Sequence, residues 1–128
     1  MREIDHGRWE QLRRDDVQER FPEEYRAWAE DRFTCAPPGG ESGAQLLDRA
    51  LPAIRRIVAA HEGQAVLVVS HKATIRLVIA SLLGIDLRGY RDRLDQSLAS
   101  LNILDFTSPT QTRLTVFNDL SHYAETFW

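Results

Sequence analysis

A histidine lies where an α/β protein would carry out phosphoryl chemistry. His71 follows the apolar run 65–69 and Ser70, and it precedes a helix-like stretch over 73–83. An unbroken aliphatic run is typical of a parallel strand buried on both faces, and open α/β sheets bind ligands just past the carboxyl ends of such strands. Backbone N–H groups at the start of the next helix favour an anion there. His71 is therefore a candidate for phosphoryl chemistry, with a structural histidine at a loop entrance as the alternative.

The other residues capable of chemistry do not form a metal-binding pattern. The histidines are scattered along the chain, at positions 6, 61, 71 and 122, and His61-Glu62 lacks the second histidine of an H-E-x-x-H helix. The single cysteine, Cys35, excludes an internal disulfide and a cysteine-rich metal site. We therefore expect neither a metal nor another cofactor.

Length and charge limit the classes of protein to which the chain can belong. With 128 residues we predict a single domain over 1–128. Lys and Arg number 16 against 19 Asp and Glu, and a net charge of −3 gives no support for a nucleic-acid binder. No apolar stretch approaches the roughly 18–20 residues of a membrane span, and residues 1–5 are not a signal peptide. The composition favours a cytoplasmic protein without nucleic-acid or membrane partners.

Helical patterns alternate with short strand-like runs, as in an α/β fold. Three helical regions are predicted, from about Trp9 to Asp31 with a break at Pro22, from Ser42 to His61, and over 73–83 with Gly84 as the C-cap. The middle helix carries apolar residues at helical spacing, namely Leu46, Leu47, Ala50, Leu51, Ile54, Ile57 and Val58.

Three strands are predicted, over 65–69, 99–106 and 112–118, and the last two form an antiparallel hairpin around the turn 108–111. We expect a three-layer α/β/α fold, with a mostly parallel sheet and an antiparallel carboxy-terminal hairpin. The strand over 65–69 then lacks a partner on one edge, which native folds avoid because an unpaired apolar edge aggregates. Either another chain covers this edge, as in a homo-oligomer or with a complementing chain, or the sequence lacks its beginning. The final Phe127 and Trp128 should pack on the body or on a partner.

Four ordered segments of this chain resemble motifs of the histidine phosphatase superfamily, the phosphoglycerate-mutase-like clan. They are V-V-S-H-K-A-T-I-R over 68–76 with L-L-G-I over 82–85, R-E-I-D-H-G-R-W-E over 2–10, P-P-G-G-E-S over 37–42, and N-D-L-S-H over 118–122. Because they extend over nearly the whole chain in the family's order, together they are more specific than any one of them.

The resemblance implies a role for each matching residue. His71 matches the second histidine, which stabilises the transferring phosphoryl oxygens. Glu3 matches the general acid/base that protonates the leaving oxygen, a task that calls for a carboxyl group of raised pKa. Glu41 and Ser42 match a substrate-facing loop, although Ser42 also suits a helix N-cap. Lys72 stands where many relatives carry glycine, and it either contacts phosphate or lies on the surface.

One family motif has no counterpart in this chain. The nucleophile of the family is a histidine in a strand-ending R-H-G motif, and no R-H-G occurs here. Asp5-His6-Gly7 is similar only superficially, since no apolar strand precedes it. The resemblance therefore implies an incomplete family domain, truncated at its amino terminus. The portion that is lacking is the same strand–helix–strand unit that the unpaired edge requires.

The resemblance implies metal-independent hydrolysis of a small phosphorylated metabolite through a phosphohistidine on the absent nucleophile. The chain as given would then be inactive alone. Two alternatives stay open, phosphoglycerate-mutase-type phosphoryl transfer and a non-catalytic binding or assembly module of the same fold. A third alternative is an enzyme whose active site is completed in trans by another polypeptide that carries the nucleophile.

Overall fold

The computed structural model describes residues 1–123 and contains five α-helices and one β-hairpin in this part of the chain. The elements are α1 (Arg14–Arg20), α2 (Pro22–Glu30), α3 (Gly43–Ala60), α4 (Lys72–Leu83), α5 (Tyr90–Arg93), β1 (Leu101–Ser108) and β2 (Gln111–Asp119), with 3₁₀ turns at Gly7–Trp9 and Leu87–Gly89. The mixed α/β class with its antiparallel carboxy-terminal hairpin is confirmed. The expected packing of Phe127 and Trp128 lies outside the described residues.

Local signals in the sequence set the helix boundaries. Ser42 caps α3, because its hydroxyl accepts from the Gln45 N–H at 3.2 Å while the Gln45 side chain accepts from the Ser42 N–H at 2.8 Å. Pro22 occupies the first turn of α2, as predicted for the break between the first two helices. Gly84 ends α4 in the left-handed region at φ 72°, where glycine carries no steric penalty.

Helix α4 is the central element of the core. It buries four successive residues, Leu77 to Ala80, as expected of a helix that is covered on several sides. Helix α3 packs against it through Leu46, Leu47 and Ala50, and Tyr90 and Leu94 complete the cluster. The hairpin adds Leu104, Leu114 and Phe117 to the same core. Because α4 is fixed on these sides, the position of its first turn is fixed as well.

The predicted buried strand over 65–69 is wrong for the described residues. This segment lies outside every helix and strand, and its backbone N–H groups donate no hydrogen bond within the described part of the chain. Leu67 is 81% exposed and Val69 75% exposed. The sheet over residues 1–123 has two strands, both in the hairpin. The physical reason is that a both-faces-buried strand needs neighbours on its two edges, and the described residues supply none.

None of the helices described between residues 1 and 123 has the length and apolar character needed to cross a bilayer.

Hydrogen exchange tests the state of the 65–69 segment. We expect the amides of Val66 to Val69 to exchange at nearly the rate of an unfolded peptide, because they are unpaired and exposed, whereas those of Leu77 to Ala80 are protected by α4 and the core. Mass spectrometry after timed exchange measures both peptides in one sample. Strong protection of residues 66–69 in dilute solution would contradict the prediction, and protection that grows with concentration would show pairing between copies.

Candidate active site

The carboxylate of Glu3 lies on the amino terminus of α4. Its Oε2 accepts the Ala73 N–H at 3.1 Å, and its Oε1 accepts the Thr74 N–H at 3.0 Å and the Thr74 hydroxyl at 2.9 Å. The N–H of Ile4 also donates to Oε1, at 3.0 Å. A helix start favours an anion because its N–H groups lack partners within the helix. Here the anion is Glu3 itself, so these N–H groups are not free for a phosphate.

His71 is the N-cap residue of α4. Its backbone is extended, with φ −130° and ψ 164°, and its side chain makes no capping bond. The imidazole is exposed, and it forms no hydrogen bond or ion pair with the described residues. Its neighbours Lys72 and Ala73 line the cleft described below, whereas His71 itself is not part of the lining. The ring is therefore accessible at the end of the segment that leads into α4.

The acid-bearing segment and the Pro-Gly loop lie against each other. The Arg8 N–H donates to the Pro38 carbonyl at 2.8 Å, and the Glu41 N–H donates to the Asp5 carbonyl at 2.7 Å. Gly7 stands at the point of closest approach, with φ 55°, and a Cβ there would lie 2.3 Å from the Pro38 oxygen. Glycine is required at this position, because both the backbone conformation and the contact exclude a side chain.

Glu41 is held by Arg49 of α3. The two side chains form a salt bridge at 2.8 Å, and the same guanidinium donates to the carbonyls of Arg2 and Glu3 at 3.1 and 3.0 Å. The hydrogen bond from Arg49 is the main reason that the pKa of Glu41 lies below its ordinary value. Ser42 is buried and caps α3, which is the alternative considered for it. In this structure Glu41 and Ser42 stabilise the loop over 37–42. Arg49 connects this loop to the acid-bearing segment, because its guanidinium binds both.

A cleft of about 240 Å³ brings several of the predicted residues together. Glu3, Glu41 and Lys72 all line it, whereas Ser42 does not. The walls also contain residues that were not predicted, namely His6, Arg14, Trp28, Arg32, Arg76, Tyr90 and Arg91. A larger hollow of about 410 Å³ on α1 and α2 contains none of the predicted residues. The cleft is therefore the candidate active site.

The expectation of a raised pKa for Glu3 is wrong in this structure. Burial is the largest single influence on the carboxyl group and would raise its pKa, but the bonds from Ile4, Ala73 and Thr74 together outweigh it. The pKa is lowered from the ordinary value of 4.5. Glu3 is therefore ionised at neutral pH. The sequence motif could not reveal this, because the donors come from a helix 70 residues further along the chain.

The cationic residues of the cleft include several that sequence reasoning missed. Arg76 gave a signal, since it is a charged residue within the apolar face of a buried helix. Arg49 gave none, because its role depends on how α3 meets the loop. Within residues 1–123 there is no group of three or more His, Cys, Asp or Glu residues placed to hold a metal ion. The arrangement can hold an anion with side-chain cations and move a proton at Glu3.

Comparison with known proteins gives consistent matches. The model of the histidine phosphatase superfamily (branch 1) matches residues 1–120. Phosphoserine phosphatase 1 of Hydrogenobacter thermophilus is 38% identical over 85 residues, which cover 66% of this chain and 40% of that protein. Bacillus stearothermophilus YhfR superposes with a TM-score of 0.84 at 27% identity, over 94% of this chain and 59% of that one. A mycobacterial glucosyl-3-phosphoglycerate phosphatase superposes with a TM-score of 0.73 at 29% identity, over 91% of this chain and 61% of that one. The chain thus spans between 40% and 61% of the length of these three proteins.

The stabilising role of Glu3 can be tested by substitution and pH. Glu3→Ala leaves buried donors at the start of α4 without an acceptor, so we expect a loss of about 1–3 kcal/mol in the free energy of unfolding. Because the folded pKa is lowered, the ionised carboxylate stabilises the protein fully above pH 4.5, and this stability is lost as the pH falls through the folded pKa. Urea unfolding at a series of pH values measures both effects.

Glu62→Gln serves as the matched control, because Glu62 is exposed in the turn after α3. It should leave the free energy of unfolding and its pH dependence unchanged. The difference in the free energy of unfolding between the wild type and Glu3→Ala should shrink on acidification. A difference that is constant from neutral pH to pH 3 would contradict the pKa direction.

Proposed function

Because the chain belongs to the histidine phosphatase superfamily, we propose that it forms the acid-bearing and second-histidine part of a metal-independent phosphatase. The substrate is a small phosphomonoester, and the phosphoryl group passes through a histidine that residues 1–128 do not contain. One observation carries the proposal: Glu3 is fixed on the first turn of the helix that His71 precedes, beside a cleft lined with cations.

His71 and Lys72 supply positive charge to the phosphoryl group. Phosphoryl transfer is catalysed mainly by positioning and by charges around the equatorial oxygens. The exposed imidazole of His71, when protonated, can donate from both ring nitrogens. Lys72 lines the cleft at the next position. Since Glu3 fills the N–H groups of Ala73 and Thr74, the side chains of His71 and Lys72 are the donors that we assign to the phosphoryl oxygens.

Glu3 moves the proton. Its Oε2 accepts only one of the four hydrogen bonds, so this oxygen keeps lone pairs for a further partner. As a carboxylate it can take the proton of the water that attacks phosphohistidine. A dianionic phosphate ester nearby is a like charge that raises the pKa of Glu3. Substrate binding thereby favours the protonated form, which can donate to the leaving oxygen in the first step.

The nucleophile histidine would be presented by a strand that pairs along residues 65–69. Two features support this step: no R-H-G motif occurs in the sequence, and this apolar run is exposed and unpaired. Parallel strands end at the same edge of a sheet, where α/β proteins bind ligands. A parallel neighbour of residues 65–69 would therefore end at the level of Ser70 and His71.

Hydrolysis is favoured over mutase chemistry. Phosphoserine phosphatase 1 and the glucosyl-3-phosphoglycerate phosphatase are both named as phosphatases. The stretch between Glu3 and Glu41 is short. It leaves little room for the larger insertion that is typical of mutases. The volume of the cleft, about 240 Å³, suits a small metabolite.

The proposal predicts that catalysis requires both parts of the site. The chain alone, incubated with p-nitrophenyl phosphate and a chelator, should show no turnover above buffer. The same chain joined to an amino-terminal segment with a strand ending in Arg-His-Gly should release p-nitrophenol. In that joined protein His71→Ala and Glu3→Gln should each lower kcat/KM on the order of a hundredfold or more.

The matched controls are His61→Ala and Glu62→Gln, which alter the same residue types in the exposed turn after α3. Both should leave kcat/KM within about twofold of the parent, a change that costs less than 0.5 kcal/mol. Robust activity of the chain alone would contradict an external nucleophile. Unchanged activity of His71→Ala in the joined protein would contradict the site assignment.

A further inference from the structure

We propose that Thr74 is a positioning residue for the acid of the proposed phosphatase. Its single hydroxyl proton is shared between Oε1 of Glu3 and the carbonyl oxygen of Arg2, which leaves Oε2 of Glu3 as the oxygen that transfers the proton. The inference rests on the proposed function, because it concerns the group that protonates the leaving oxygen. Thr74 does not line the cleft, so it acts through Glu3 and not on the substrate.

The hydroxyl of Thr74 has more acceptors than protons. Its Oγ1 lies 2.9 Å from Oε1 of Glu3 and 3.0 Å from the carbonyl oxygen of Arg2. A hydroxyl carries one proton, so it can form only one of these two bonds fully at a time. Thr74 is 1% exposed, and buried polar groups are nearly always paired. The proton therefore belongs to one or the other of these two oxygens.

The second acceptor, the carbonyl of Arg2, is held in place by Arg49. Nη2 of Arg49 donates to the carbonyls of Arg2 at 3.1 Å and of Glu3 at 3.0 Å. A carbonyl oxygen has two lone pairs, so that of Arg2 can accept from Arg49 and from Thr74 together. Arg49 thereby keeps this oxygen within reach of the hydroxyl.

The two oxygens of Glu3 have unequal surroundings. Oε1 accepts the N–H groups of Ile4 and Thr74, both at 3.0 Å, in addition to the Thr74 hydroxyl. Oε2 accepts only the Ala73 N–H within the described residues, at 3.1 Å. Glu3 and Ala73 line the cleft, whereas Thr74 does not. The less occupied oxygen is thus the one bonded to the cleft-lining residue, and there the proton enters and leaves.

The shared hydroxyl suits both states of the acid. When the ester O–P bond breaks, its electron pair stays on the leaving oxygen, which takes the proton from Oε2 of Glu3. Glu3 is then a carboxylate, and its Oε1 is the stronger acceptor for Thr74, because a bond to a charged group is roughly twice as strong as a neutral one. When Glu3 takes a proton from the water that attacks phosphohistidine, Oε1 weakens and the Arg2 carbonyl becomes the competing acceptor. Thr74 stays paired throughout.

The first test measures the pKa of Glu3 in this chain without any substrate. Burial raises this pKa, and the donors, the Thr74 hydroxyl among them, lower it. Thr74→Val removes the hydroxyl and keeps the shape, so the pKa of Glu3 should rise, because a donor to the charged form is lost. Thr74→Ser keeps the hydroxyl and should keep the pKa. The groups that interact electrostatically with Glu3 include Arg49 and Tyr90, which neither variant alters.

The carbon-13 shift of the Glu3 carboxyl, followed through an acid titration, gives the pKa of each variant. An equal pKa in the wild type and Thr74→Val overturns the proposal. Thr74→Ala also lacks the hydroxyl, and it keeps the test valid should Thr74→Val not fold, as thermal unfolding would reveal.

Thr115→Val is the matched control for the titration. The exposed Thr115 donates its hydroxyl to the Ile103 carbonyl at 3.2 Å in the hairpin. The same substitution therefore removes a similar bond far along the chain from Glu3, and it should leave the pKa of Glu3 unchanged. A rise equal to that in Thr74→Val would show an effect that is not specific to Thr74, and would overturn the proposal.

The joined protein with its Arg-His-Gly strand tests the role in catalysis through two leaving groups. Ethyl phosphate releases a strongly basic alkoxide that depends on an acid, whereas p-nitrophenyl phosphate releases a weakly basic phenolate. Thr74→Val should lower kcat/KM for ethyl phosphate on the order of tenfold more than for p-nitrophenyl phosphate. Thr74→Ser should keep the parent ratio. A merely structural role lowers both values in the same proportion, and that result overturns the proposal.

The two measurements separate this inference from the proposed function. If the pKa of Glu3 rises in Thr74→Val but the joined protein hydrolyses neither ester, the proposed function fails and the control of the Glu3 proton by Thr74 stands. If the joined protein hydrolyses both esters and Thr74→Val changes neither the pKa nor the ratio, the inference on Thr74 fails alone. A raised pKa together with the selective loss on ethyl phosphate supports both.

Discussion

The interaction between Glu3 and the first turn of α4 determines the arrangement of the candidate active site. One carboxylate accepts donors from Ala73 and Thr74, which follow it by about 70 residues. This contact fixes the amino-terminal segment against the central helix, and the Arg49 guanidinium then joins that segment to Glu41. The residue before α4, His71, consequently lies near the acid-bearing segment. Two separated sequence motifs meet because a helix start needs an anion, and Arg49 joins the third to them.

The proposed catalytic role places a second demand on Glu3, beside that of the capping interaction. A capping carboxylate is most stabilising when ionised, whereas a general acid must be protonated when the leaving group departs. The bonds that hold Glu3 lower its pKa against the opposing effect of burial. A bound phosphate shifts the balance in the other direction. A carboxylate that is firmly held in the empty site and protonated only beside the substrate satisfies both demands.

Local features were predictable from the sequence, and features that need a distant partner were not. The N-cap at Ser42, the glycine after α4 and the hairpin turn act within a few residues, and each appears at a position that the sequence indicates. The run 65–69 was predicted as a buried strand from composition alone, but burial depends on neighbours that the described residues do not provide. The motifs predicted five site residues, of which three line the cleft; Ser42 and His71 do not. The guanidinium of Arg49 and the walls of the cleft depend on tertiary contacts, so no motif predicted them.

Two features that the described residues leave unsatisfied adjoin α4. Before the helix, residues 65–69 expose apolar side chains and unpaired N–H groups, which calls for a strand. Within it, the Nε of Arg76 is buried without a hydrogen-bond partner among residues 1–123. His71 lies between these two positions, so the proposed nucleophile strand would end beside the first turn of the helix that Glu3 caps.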